Sequence, residues 1–365
     1  MKIAVILFLM FLAGPTFAQN KNWESDWNQT LAAAKKEGQI VVAGSPDLVM
    51  RRQVIPKFTA RYGIEVEYLA GRSSRIAARV RTERDAGLST VDVFMAGIGT
   101  TTRVLYKEKL IQPLRPMLIL PDVVDGSKWK IGELWFADPE KKYVFRAFNR
   151  LGSFGFINTD YVKPNDIRAA KDLLDPKWKG KIAVDDPTVS GTGSNTAAQF
   201  LMQFGEEFIK RLYVDQKPGV TRNRRQLADW LARGTYPICL NCRDGDLKPL
   251  KKAGFNVYQI FEVSDMEVQV GGTPWWLSVA TDPPNPNAQK IFANWIVSKE
   301  ALETYSRGYG AATLRTDVDE SFLNPKSIPR PGVKYFDSHE WNWAVSGRRK
   351  AQRKAAKLLK RLMNR

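Results

Sequence analysis

The sequence predicts an α/β protein of two lobes, each a mostly parallel sheet flanked by helices, joined by two hinge crossings. Three observations carry that expectation. Strand-then-helix units follow one another in the N-terminal part, aromatic-rich extended stretches interrupt the pattern twice, and a second group of strands and helices lies between the interruptions. The chain has 365 residues, 44% hydrophobic, with 11 tryptophans, enough apolar material for two cores.

At the N-terminus, Lys2 precedes an apolar run from Ile3 to Gly14, and Thr16-Phe17-Ala18 follows. This reads as a secretory signal over 1–18, removed from the mature chain, and implies a periplasmic location. The run is shorter than the ~20 apolar residues that a membrane span requires.

Trp27, Leu31 and Ala34 recur at helical spacing and Gly38 can end the helix, so Glu24 to Glu37 is expected to be amphipathic. Ile40 to Ala43 is the first strand and stops at Gly44-Ser45-Pro46. A helix carrying Val54, Ile55 and Phe58 runs to Gly63. Ile64, Val66 and Tyr68 then alternate as a strand that opens into Gly71-Arg72-Ser73-Ser74. A helix from Arg75 to Ala86 leads to the strand Val91 to Met95 and the turn Ala96 to Thr100. Ligands of parallel sheets sit at the carboxyl ends of strands, which makes Ser45, Arg72, Ser73, Gly97 and Thr100 candidates.

Lys142 to Phe148 and Phe154 to Asn158 read as the first crossing, with Arg146 and Arg150 as further candidate cations. Beyond it, Ile182 to Val184 is a buried strand stopped by Asp185-Asp186-Pro187. Ser190, Gly191, Thr192, Gly193, Ser194 and Asn195 follow, small residues at a helix start whose first N–H groups suit an anion. The plainer alternative is a well-capped helix holding nothing. Helices at Phe200 to Tyr213 and Arg222 to Ala232 and strands at Pro237 to Leu240 and Val257 to Phe261 complete this part. The return crossing spans Val268 to Val279, where Trp275 is either a stacking platform or packing. Helices Asn287 to Val297 and Ala301 to Arg307 then rejoin the first lobe. The expected organisation is lobe 1 at 19–145 plus 268–310, lobe 2 at 146–267, and a C-terminal segment, 311–365, packing on the lobes.

Much of the net charge of +18 lies in SGRRKAQRKAAKLLKRLMNR at the end, which carries no acidic residue; it suits a helix packed on the body, with no nucleic-acid partner, or a basic helix for an anionic membrane surface or nucleic acid. Leu358, Leu359 and Leu362 give that helix an apolar stripe. It either packs on the body or lies on an anionic surface. Cys239 and Cys242 form a C-x-x-C that suits a disulfide or a redox pair; two cysteines and a distant His339 complete no zinc site. No nucleophile elbow, H-E-x-x-H or full phosphate loop is present, and the adjacent Asp185 and Asp186 point to opposite faces of a strand. An enzyme and a cofactor are therefore not expected.

Phe156-Ile157-Asn158-Thr159-Asp160, DLLDPKWKGKIAVDDPTVSGTG at 172–193, Trp230 to Gly234, NPNAQKIFANWIVSKEA at 285–301 and Arg315-Thr316-Asp317-Val318 together carry a resemblance. The chain resembles the periplasmic solute-binding proteins of ABC importers with the type II two-lobe fold, in the branch that contains ferric-iron binders. That resemblance implies a monomer that hands its ligand to an inner-membrane permease. It also implies, for ferric binders, adjacent tyrosines just after the strand matched by Pro237 to Leu240. Here Asn241-Cys242-Arg243-Asp244 stand there, which removes the phenolates and adds a cation. Asn241 and Arg243 join Arg72 and the Ser190 to Ser194 turn as candidates for a small phosphorylated, phosphonate or carboxylate solute. The alternatives are ferric transport on the same fold, an enzyme using Cys242, or a protein that presents its ligand to a sensor.

Overall fold

The computed structural model describes residues 22–189, 191–271, 274–330 and 332–362; the expected signal at 1–18 and Ser190 lie outside them. Helix α1 (Trp23–Glu37) has Glu24 and Asp26 in its first turn and Lys35 and Lys36 in its last, the polarity its dipole favours, and ends at Gly38 with φ 73°. β1 (Gln39–Gly44), α2 (Ile55–Tyr62), β2 (Glu65–Ala70), α3 (Ser73–Asp85) and β3 (Val93–Ala96) follow in the expected alternation. The third strand starts later than its apolar pattern suggests. Asp92 is fully buried and accepts from the N–H groups of Val41 and Asn285, so it ties the strand's entrance.

α4 (Ile98–Thr100) continues as a wider helical turn to Tyr106, and β4 (Ile111–Gln112) and α5 (Pro121–Val124) complete this portion. The first crossing contains β5 (Arg150–Leu151), which leads into β6 (Gly155–Asn158). The second group is β7 (Ile182–Asp185), α6 (Thr192–Lys210), β8 (Gly219–Thr221), α7 (Arg224–Ala232), β9 (Ile238–Cys239), α8 (Asp244–Lys252) and β10 (Val257–Ile260). The return crossing is β11 (Gln269–Gly271). β12 (Trp276–Ala280), α9 (Pro286–Ile296) and α10 (Lys299–Tyr309) then rejoin the first group, and β13 (Phe336–Asp337) and α11 (Arg348–Leu362) end the described chain.

Two five-stranded sheets result, ordered β2-β1-β3-β12-β4 and β10-β6-β9-β7-β8, with a third, β13-β11-β5, between them in the chain path. Each large sheet is mixed. β1 is parallel to β2 and β3, whereas β12, entering from the return crossing, runs antiparallel to β3. In the second sheet β7 is parallel to β8 and β9, whereas β6, entering from the first crossing, runs antiparallel to β9. The architecture is the two-lobe α/β fold that the sequence predicts.

Separate apolar cores underlie the two large sheets. The first gathers Val42, Phe58, Val93, Phe292, Trp295 and Tyr305, and extends through Ala147 and Phe148, slightly past the expected boundary. The second gathers Ile157, Ile182, Phe200, Leu212 and Ile238, joined by Ala355, Leu358 and Leu359 of α11. The basic terminal helix therefore packs its leucines on the body.

Candidate ligand cleft

Strand direction decides where the two lobes can meet. β12 begins a few residues after the crossing strand β11, and its first residue pairs with the last residue of β3 (Trp276 with Ala96). Gly44 pairs with Ala70 on one side and Met95 on the other, so the carboxyl ends of β1, β2 and β3 all lie beside the crossing. Similarly, β6 starts just after β5, and Phe156 pairs with Cys239, which pairs with Ala183. The carboxyl ends of β7, β8 and β9 thus also face the crossing. The turns after these strands form opposite walls of one cleft, as ligand sites at strand ends require.

On the first wall Ser45 is exposed, and its carbonyl accepts from the Tyr68 hydroxyl at 2.6 Å. Arg72 is exposed at the start of α3, with its backbone carbonyl accepting from Arg75 and Ile76. The Ser73 hydroxyl accepts from the Gly97 N–H at 3.2 Å, which ties two of the turns together, and Thr100 is half-buried beside them.

On the second wall the geometry corrects several expectations. The Asp185 carboxylate accepts from the Thr192 hydroxyl at 2.6 Å and the Gly193 N–H at 3.1 Å, so the start of α6 already carries an anion supplied by the chain. A side chain at Gly193 would meet the Asp185 carbonyl at 2.1 Å, so only glycine permits this approach. Ser194 is buried, its hydroxyl lying 3.1 Å from both the N–H and the carbonyl of Gly191. Gly193 and Ser194 are therefore buried, and Gly191 and Thr192 are half-buried, with the Thr192 hydroxyl already held by Asp185.

Asn241 is likewise buried: its carbonyl accepts from the Asp185 N–H and its amide donates to Thr196. It shapes the wall instead of presenting a free amide. Cys239 and Cys242 are joined in a disulfide, so Cys242 carries no free thiol to act as a nucleophile. Arg243, next in sequence, is exposed. Trp275 is 3% exposed and packs edge-on against Phe148 and Tyr305, so it belongs to the first core and offers no platform.

A cavity of about 580 Å³ opens between the lobes, lined by Arg150 of the crossing, Asp244 and Lys248 of α8, Tyr309 at the end of α10, and Lys326. Arg150 donates weakly to the Gly310 carbonyl at 3.5 Å; Asp244 pairs with Lys251 at 3.2 Å. The other crossing arginine is engaged. Arg146 is 1% exposed, pairs with Asp337 at 2.7 Å, donates to Asn149, and lies between the rings of Trp135 and Trp276. Burial lowers its affinity for the proton, and Asp337 opposes that shift. Among the described residues no cluster of three histidine, cysteine, aspartate or glutamate side chains is placed to hold a metal.

The description "bacterial extracellular solute-binding protein" matches residues 53–331. The chain belongs to this family. Among curated proteins this solute-binding protein is 25% identical over 286 residues to an uncharacterised protein of Haemophilus influenzae, covering 74% of this chain and 76% of that one. Its fold is similar to a Trichodesmium protein solved in complex with iron and citrate, with TM-score 0.64 and 20% identity, covering 89% of this chain and 99% of the other. It is also similar to a periplasmic binding protein of Actinobacillus pleuropneumoniae with fructose-6-phosphate bound, with TM-score 0.58 and 20% identity over 87% and 97% of the two chains. Among the described residues no helix is long and apolar enough to cross a membrane.

Proposed function

We propose that this solute-binding protein works in the periplasm, after removal of the signal at 1–18, as a monomer that encloses a small anionic organic solute. Lobe 1, 19–145 with 268–310, and lobe 2, 146–267, form the jaws, and the closed form delivers the solute to an inner-membrane ABC permease. No covalent chemistry is part of this reading. The observation that carries it is the pairing of Arg72 and Arg243 on opposite walls. Both are exposed, one after β2 and one after β9, and neither forms an ion pair among the described residues, so each lobe offers an uncompensated guanidinium group at a strand end. Guanidinium groups recognise carboxylate and phosphate through paired, charge-assisted bonds. Contacts made to both walls at once favour the closed state over the open one.

The neighbour that holds fructose-6-phosphate supports a phosphorylated organic solute. The neighbour that holds iron and citrate suggests ferric transport as the second reading. Against that second reading, Asn241 and the disulfide-bonded Cys242 occupy the place where the resemblance expects phenolates.

Thermal-shift and calorimetric titration with a hexose 6-phosphate, a phosphonate, a dicarboxylate and ferric citrate tests the proposal. One of the organic anions is expected to stabilise the protein, and Arg72→Gln with Arg243→Gln is expected to remove most of that shift. Stabilisation by ferric ion alone, insensitive to both substitutions, would replace the anion reading with the metal one.

A further inference from the structure

The family match ends at residue 331, yet the following segment is bonded to the crossing and to both lobes. At the crossing, the Ser338 N–H and hydroxyl both donate to the Val270 carbonyl, and a side chain at Gly271 would meet the Ser338 hydroxyl at 2.5 Å. Facing lobe 1, the Ala344 carbonyl accepts from Arg103 at 2.9 Å. Facing lobe 2, Gln352 donates to Ser194 at 3.1 Å and Asn195 at 2.8 Å, at the start of α6. The three anchors lie on the crossing strand β11, on the helical turn that follows β3 and α4, and in the first turn of α6.

This path collects cations. Arg103 folds back toward the start of its helix, and a side chain at Gly99 would sit 2.6 Å from its Nη2 atom, so the guanidinium covers the turn after β3. Arg348 is half-buried and donates to the Ser338 carbonyl at 2.6 Å; Arg349 is exposed beside it, one helical turn before Gln352. None of the three forms an ion pair among the described residues. The nearby carboxylates are used elsewhere, Asp337 by Arg146 and Glu340 by the N–H groups of Asn342 and Trp343.

We infer that Arg103 from lobe 1 and Arg348 and Arg349 from the C-terminal segment form an anion-binding subsite on the side wall of the cleft, suited to an oxyanion of two or more charges such as a phosphate monoester. This deepens the proposed function and rests on it. Drawing three like charges together is unfavourable unless a counter-charge is recruited, and burial together with the charges of Arg349 and Arg348 holds the Arg103 guanidinium below its ordinary value. A bound oxyanion supplies the missing charge, and the wall assigns its charged end while Arg72 and Arg243 remain free for the rest of the solute.

Calorimetry on the mature protein with inorganic phosphate, a hexose 6-phosphate and citrate tests the inference in wild type, Arg349→Gln, Arg349→Lys and Arg103→Gln. Arg349 is exposed and forms no ion pair among the described residues, so its variants are expected to retain the native circular dichroism spectrum and melting point without ligand. Arg349→Gln and Arg103→Gln are each expected to weaken the best-bound anion about tenfold to a hundredfold, as for the loss of a charge-assisted bond. Arg349→Lys is expected to recover part of the loss, and the dependence on salt should fall in the glutamine variants. Tighter binding of the phosphates than of citrate identifies a phosphoryl group as the recognised end; the reverse identifies a polycarboxylate. If wild type binds an anion and both glutamine variants bind it equally well, the subsite is overturned while the anion reading stands. If wild type binds none of the three anions, the phosphoryl subsite is overturned, and the anion reading is decided by the phosphonate and dicarboxylate titrations.

Discussion

At the scale of single residues, the crossing depends on how charge is handled where water is excluded. Arg146 keeps its charge because Asp337, Asn149 and the Phe148 carbonyl meet its N–H groups and two indole rings cover its faces. His339, its neighbour, lacks such help: it packs against Trp276, and its buried Nδ1 atom has no partner among the described residues. Burial first, then the positive charges of Arg146 and Arg348, push its pKa down to about 3. The sign follows directly. Below the ordinary histidine value of 6.5 the unfolded chain binds a proton that the folded chain refuses until about pH 3, so stability falls as pH drops through that window. The expected slope is about 1.4 kcal/mol per pH unit for this one site. Urea denaturation between about pH 7 and pH 5 should show a shallower loss in His339→Phe than in wild type. Parallel profiles would mean that His339 takes up its proton in the folded protein.

At the scale of elements, the strands and helices were largely legible because their signals are local: apolar spacing, glycine stops and the aromatic crossings. Thus α1 starts one residue from its expected place and Gly38 ends it as anticipated. The candidate site was less legible. Asp185 was correctly separated from Asp186 by strand alternation, yet its turn toward Thr192 and Gly193 depends on the loop's three-dimensional path. The pairing of Arg103 with Ala344 joins residues with no sequence relation at all. The two readings of the basic terminal helix could be separated only by knowing what its leucines touch. Leu358 and Leu359 pack into the second core, with Leu359 fully buried. Leu359→Ala is expected to cost about 2–5 kcal/mol through lost burial and the cavity left behind. Lys357→Ala, on an exposed position of the same helix, should change stability by less than about 0.5 kcal/mol. Chemical denaturation compares them; equal small effects would show that the helix does not hold to the body in solution.

At the scale of the whole molecule, two cores joined by a narrow sheet imply that the lobes move as units, because each large sheet shares its core with its own helices. A shift from one closed molecule in a hundred to one open molecule in a hundred requires about 5.5 kcal/mol of differential binding. A contact already made to one wall in the open form contributes nothing to that shift; only bonds added by the second wall do, at about 1.5–3 kcal/mol for each charge-assisted contact, so closure to that extent takes two or more of them. The β13 strand and the 338–352 path are bonded to the crossing and to both lobes. Small-angle scattering should therefore show a smaller radius of gyration at saturating concentration of the anion that calorimetry identifies. In the Arg72→Gln variant the anion still contacts lobe 2 and the side wall but has lost a lobe 1 cation, so the same compaction should require more ligand and be less complete. Identical scattering of free and saturated wild type would show that binding occurs without closure, and the two arginine walls would then act on the solute independently.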